Sequence, residues 1–181
     1  MCININNSNN DQYIELRKAN ENDLNQIFNL IQTVGQEMDS KDSKIFAYSK
    51  NPNTYLQMLK TGFCAVAVKN NKIIASLLTC PEDKDIIIKL ANIPEQLASN
   101  TINFTTCQVL KDYRGNKLEQ QLINFILYEL NKLQNYKYAV CTVSPNNKAS
   151  LKSVQNCGFQ ICNTAFLYGG KPRYILIKQL V

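Results

Sequence analysis

The 181-residue chain contains no histidine. That absence removes Ser-His and Cys-His nucleophilic catalysis outright. It also leaves zinc chemistry to the cysteines alone. Seven are present, an odd number at irregular spacings and with no Cys-x-x-Cys pair, so neither a zinc site nor a disulfide framework is expected. Four of them lie inside strand-like apolar runs, and Cys157, near a helix end, reads as a small buried hydrophobe. The pattern suits a reducing, cytoplasmic compartment. No apolar run approaches the length of a membrane span, and the Asn-rich start cannot serve as a secretory core. Residues 1–12 are expected to be a disordered leader, with one domain over 13–181 and no repeat or composition break inside it.

What is present divides unevenly. Residues 111–181 hold ten Lys/Arg against three Asp/Glu, whereas residues 1–110 hold ten against eleven. A basic half attracts nucleic acid, a membrane surface or a phosphorylated cofactor, and it also describes plain lysine scattered over solvated faces. Hydrophobic content of 45% is enough for a substantial core.

Patterning gives the order β-α-α-β-β-β-α-β-α-β-β. Tyr13–Arg17 alternates like a half-buried strand. Asn20, with Asp23 three residues on, caps a helix whose Leu24, Ile27, Phe28, Ile31 and Val34 recur at helical spacing. A short helix runs from Pro52 to Lys60, and Gly62 ends it. Phe63–Lys69 and Lys72–Thr79 form a hairpin across Asn70-Asn71. Residues 81–100 are a charged insertion with a helical piece near Pro94–Ala98. Thr101–Leu110 is a strand, and Leu118 to Leu133 a long amphipathic helix. Tyr138–Val143 is a buried strand, followed by a helix with Ser144 as cap and Pro145 at its first position. Phe159–Leu167 and Arg173–Leu180 close the chain as a hairpin across Gly169-Gly170.

Two segments carry the chemistry. In the first, Val109-Leu110-Lys111-Asp112-Tyr113-Arg114-Gly115-Asn116-Lys117-Leu118, a strand ends in a basic, Gly-containing turn and runs into a helix. Unpaired backbone N–H groups and a helix N-terminus then face one point, a place for phosphate. In the second, Asn147-Lys148-Ala149-Ser150 opens a helix that ends at Cys157-Gly158-Phe159.

In this order, after a β-β hairpin, the two segments resemble the GCN5-related N-acetyltransferases over residues 13–181. The resemblance implies an α/β (α+β) single domain: a mixed, mostly antiparallel twisted sheet of about seven strands, flanked by helices, with a splayed central strand pair. It implies acetyl-CoA as acyl donor and an amine as acceptor, with direct transfer and no covalent enzyme intermediate. Gln108, Val109 and Leu110 would meet the donor's arm. Arg114, Gly115, Asn116, Lys117 and Leu118 would hold its diphosphate, and Asn147 and Ser150 belong to the second motif. Lys148 or Lys152 would reach the adenosine phosphate.

Three departures stand out. The family's loop reads Gln/Arg-x-x-Gly-x-Gly/Ala, and Lys117 and Glu119 occupy its small positions, with Glu119 expected to face away or repel. Val154 takes the place where many members have a proton-donating tyrosine. No base is evident, so the catalytic residues are unassigned. Glu37 and Asp39, with Asp42, lie in the loop where the family shapes its acceptor site, while Tyr168 and Tyr174 flank the closing turn. A non-catalytic acyl-CoA-binding sensor is the main alternative. A nucleic-acid binder would need clustered aromatics and basic residues that the chain lacks. Both a monomer and a homodimer are compatible with the sequence.

Overall fold

The structure, a computed structural model, describes residues 2–7, 10–37, 49–81 and 84–180. Its elements are β1 (Cys2–Asn7), β2 (Asn10–Lys18), α1 (Leu24–Gln36), α2 (Pro52–Thr61), β3 (Ala65–Lys69), β4 (Lys72–Cys80), α3 (Lys84–Leu90), β5 (Thr101–Val109), α4 (Leu118–Leu133), β6 (Tyr138–Val143), α5 (Lys148–Asn156), β7 (Gln160–Leu167) and β8 (Lys171–Gln179). The strands form one sheet in the order β1-β2-β3-β4-β5-β6-β8-β7. Every pairing is antiparallel except that of β5 with β6.

Local chemistry explains most boundaries. The Asn20 side chain accepts from the Asn22 N–H at 2.9 Å, and Asp23 accepts from the Asn20 N–H at 2.9 Å. That reciprocal box starts a 3₁₀ turn over Glu21–Asp23 that runs directly into α1. Asn51 caps α2 by accepting from the Asn53 N–H at 3.0 Å, with Pro52 at the first helical position. Asn70 and Asn71 turn the β3–β4 hairpin with φ of +48° and +60°, the left-handed pair such a tight turn needs.

The sheet is covered on both faces. Ile27, Leu30, Ile31 and Val34 of α1, with Tyr55 and Leu59 of α2, pack on Val66, Ile73 and Leu78. Leu118, Leu122, Ile126 and Leu130 of α4 pack on the other face, against Ala65, Ala67, Ile74 and Ile102. Each such side chain stabilises by roughly 1.5–3 kcal/mol when buried, so this stripe fixes which way α4 is turned.

Three sequence expectations change. Cys2–Asn7 and Asn10–Gln12, expected within a disordered leader, are strand residues, with Ile3 opposite Ile14 and Cys2 opposite Glu15. Residues 84–90 are helical, seated through Ile87 and Ile88 on Val140 and Ile175. The cap of α5 is Asn147, which accepts from the Ser150 N–H at 3.2 Å. Ser144 instead holds the preceding turn, accepting from the Asn146 N–H at 3.3 Å while its carbonyl accepts from the Asn147 N–H at 2.9 Å.

Candidate active site

β5 and β6 pair in parallel only from Thr101–Tyr138 to Phe104–Cys141. Beyond Phe104 they separate, while β4 continues to hold the other edge of β5 as far as Val109. Alternate backbone groups of residues 105–109 on the β6 side therefore have no strand partner. The gap opens into a cleft of about 960 Å³, and Phe104 and Phe159 meet edge-to-face at its base, with centroids 5.6 Å apart.

The loop after β5 closes one end of this cleft. Gly115 has φ +83° and Lys117 φ +57°, and α4 starts immediately afterwards with no side-chain cap. The first-turn N–H groups of α4 are thus left for an outside partner, at the positive end of a 16-residue helix. Asn116 braces the loop from within, its Nδ2 donating to the Tyr113 carbonyl at 3.1 Å. Arg114 Nε donates to the Val109 carbonyl at 3.1 Å, and its Nη2 meets Glu37 Oε2 at 2.8 Å.

Of the residues singled out in the sequence, Val109, Arg114, Gly115, Lys117, Leu118, Asn147 and Ser150 line the cleft together. Gln108, Leu110 and Asn116 do not. Gln108 is 2% exposed, its Nε2 donating to the Thr106 hydroxyl at 3.3 Å, and the Leu110 N–H is committed to the Ile74 carbonyl at 3.0 Å. Glu37 reaches the site only through Arg114. Asp39 and Asp42 lie outside the described residues. Val154, 5% exposed, does line the cleft.

Of the two alternatives for Glu119, the structure places it in the cleft. It does not face away. Its side chain lines the cleft and accepts from Ser150 Oγ at 2.6 Å. Desolvation there raises its carboxyl above the usual carboxylate range, which hydrogen bonds from Ser150 and Ser153 offset only in part. Its charge in turn lifts the thiols of Cys107, Cys141 and Cys157, although burial is the larger cause at each. Cys157 is pushed to about 11, so it packs as a neutral thiol. A signal for Glu119 was present in the helical period: it precedes Ile123, Ile126 and Leu130 by four, seven and eleven positions.

At the far end, Tyr168 and Thr142 hold their hydroxyls 3.2 Å apart, and Arg173 lies 5.3 Å from the Tyr168 ring centroid. Arg173 is 5% exposed, and burial lowers its pKa from the ordinary guanidinium value.

A strand fork, a left-handed phosphate-type loop and two helix N-termini around one trough define an acyl-transfer fold. The acetyltransferase (GNAT) family model matches residues 24–159, and the chain belongs to that family. Its members take their acyl group from acetyl-CoA. No curated protein sequence matches the chain. Among solved structures, a GNAT-family acetyltransferase from Streptococcus pneumoniae is similar with a TM-score of 0.69 at 18% identity, covering 93% of this chain and 99% of that one. A Salmonella typhimurium structure containing its cofactor acetyl-CoA gives 0.69 at 12% identity, covering 93% and 94%. The polyamine N-acetyltransferase of Drosophila melanogaster gives 0.68 at 13%, covering 92% and 100%.

The residues present fit such a donor. The unpartnered edge of β5 suits an amide-bearing arm, and the 114–118 loop suits a diphosphate. Glu119 is the one lining group that opposes an anionic guest. No helix among the described residues is long and apolar enough to cross a membrane.

Proposed function

We propose that the protein transfers the acetyl group of acetyl-CoA to a primary amine by direct attack. The observation that carries this reading is the β5–β6 fork, continuous with the uncapped start of α4. When bound, the donor supplies a thioester whose thiolate can leave. The chain's part is to hold and orient. The free edge of β5 between 105 and 109 offers N–H donors to a carbonyl laid along it, and one such donor is commonly worth about 3–4 kcal/mol in a developing oxyanion. Gly115, Lys117 and the first turn of α4, with Arg114, would receive the diphosphate. Asn147 and Ser150 flank the same trough.

Transfer forms a carbon–nitrogen bond and breaks the carbon–sulfur bond. The amine must shed a proton, and an ordinary lysine-like ammonium holds it until ~10.4. Glu37 is engaged by Arg114 at 2.8 Å and does not line the cleft, whereas Tyr168 lines it at the opposite end.

A binding module without turnover is the second reading, favoured by Val154 in place of a proton donor. Titration calorimetry with acetyl-CoA, followed by thiol release with a panel of polyamines, amino acids, aminoglycosides and peptide N-termini, tests both. Micromolar binding with amine-dependent thiol release is expected. Binding with no release from any amine supports the sensor, and no binding of any acyl-CoA removes both readings.

A further inference from the structure

Among the described residues, Glu119 is a carboxylate that fills part of the trough and forms no ion pair. It sits in the first turn of α4, and its bond to Ser150 ties that helix to the first turn of α5. Groups facing it are the hydroxyls of Ser150 and Ser153 on α5 and the thiols of Cys107 on β5, Cys141 on β6 and Cys157 after α5. None carries a positive charge. The thiols are held neutral, and although Arg114, Lys117 and Lys152 line the same cleft, none pairs with Glu119, whose anion is met by hydroxyl dipoles and the positive end of α4.

We infer that Glu119 sets the affinity for the acyl donor, because the donor's entry transfers a proton from solvent onto its carboxylate. The inference rests on the donor reading above. A diphosphate at the 114–118 loop brings negative charge to the same trough and displaces the water that screens it. The diphosphate engages Arg114 and the N–H groups of the loop, which leaves the nearby Glu119 anion without a cationic partner, and the cheaper arrangement neutralises the carboxylate. The raised pKa of the donor-free site points the same way, since burial has already weakened the ionised form. Protonated Glu119 keeps its bond to Ser150 as a neutral pair, so the link between α4 and α5 survives the change of charge. Donor binding then strengthens as pH falls, by up to tenfold per pH unit above the carboxyl's titration.

Calorimetry on the full chain with CoA and acetyl-CoA tests this, run near neutral pH in two buffers of different ionisation enthalpy. The wild type should take up close to one proton more per donor than Glu119→Gln, which meets the same ligand ionisations. The variant should also bind about tenfold more tightly at neutral pH and lose most of the pH dependence. Equal proton uptake by the two proteins overturns the inference, and so does weaker binding by a variant whose circular dichroism matches the wild type. Should Glu119→Gln fail to fold, Ser150→Ala with Ser153→Ala supplies the second arm. Removing the hydroxyls raises the carboxyl further, so proton uptake on binding must shrink at a fixed acidic pH. Failure of both wild type and variant to bind any donor overturns the donor reading itself, whereas binding without the proton difference overturns only the role of Glu119.

Discussion

Arg114 and Glu37, 77 residues apart in the chain, meet at 2.8 Å and join the loop after β5 to the end of α1. The guanidinium is also anchored on the Val109 carbonyl, so its fork is already partly committed before any anion arrives. A diphosphate held at this loop, as proposed, would compete with Glu37 for the same N–H groups.

Removing each partner should therefore move donor affinity in opposite directions. Arg114→Ala loses charge-assisted bonds worth about 1.5–3 kcal/mol and should weaken acetyl-CoA binding roughly tenfold or more. Glu37→Gln should tighten it by no more than about fivefold, because a half-exposed pair is worth about 0–1 kcal/mol. Calorimetry at two salt concentrations checks both, and the Glu37→Gln gain should shrink at high salt. A Glu37→Gln variant that binds more weakly would show that the carboxylate positions Arg114 instead of competing with it.

Lys117 holds a left-handed backbone with φ +57°, a conformation that favours glycine. The conformation costs a non-glycine residue roughly 1–2 kcal/mol. Lys117→Gly should raise the urea midpoint by a correspondingly small increment, less glycine's larger entropy in the unfolded chain. A fall in stability would mean that the Lys117 side chain contributes contacts outweighing its backbone strain.

Two carboxylates give opposite pH signatures. Asp23, 5% exposed, takes two 2.8 Å bonds from Arg17 and one from the Asn20 N–H, and the Arg17 bonds chiefly hold its pKa below the usual carboxylate value. Its stabilisation is complete above the unfolded-state value near ~3.9 and disappears as pH falls through the lower folded value. Asp23→Asn should cost about 2 kcal/mol at neutral pH, with the gap to wild type closing in acid. Glu119 runs the other way. Its raised carboxyl favours the folded state at low pH and loses that advantage as pH rises through the folded value. Glu119→Gln should accordingly unfold at higher urea than wild type at neutral pH and show little difference in acid.

Where local rules acted alone, the sequence was readable. The Asn70-Asn71 turn, the Asn20 box, the end of α2 at Gly62 and the span of β6 all follow from backbone preferences of a few residues. Helix α3 was missed because its three consecutive isoleucines favour strands locally, and only packing on Val140 and Ile175 decides otherwise. The Ser144-Pro145 cap was misplaced by three residues, since Asn147 competes for the same role and wins once the turn is formed. At the site, the loop was legible as a pattern. The inward side of Glu119 was legible in the period of α4, but its bond to Ser150 was not, because that depends on how α5 packs beside α4.

The position of β8 between β6 and β7 has a consequence for how the cleft is held. Among the described residues, 160–167 pair with no strand except 171–179, and β6 gives its second edge to that same strand. The β5–β6 seam beside the trough is thus supported on its outer side by β8, a strand more than 60 residues further along the chain than β5. Substitutions that break the β6–β8 pairing should therefore weaken donor capture, by thiol release or calorimetry, more than they disturb the hairpins of the first half.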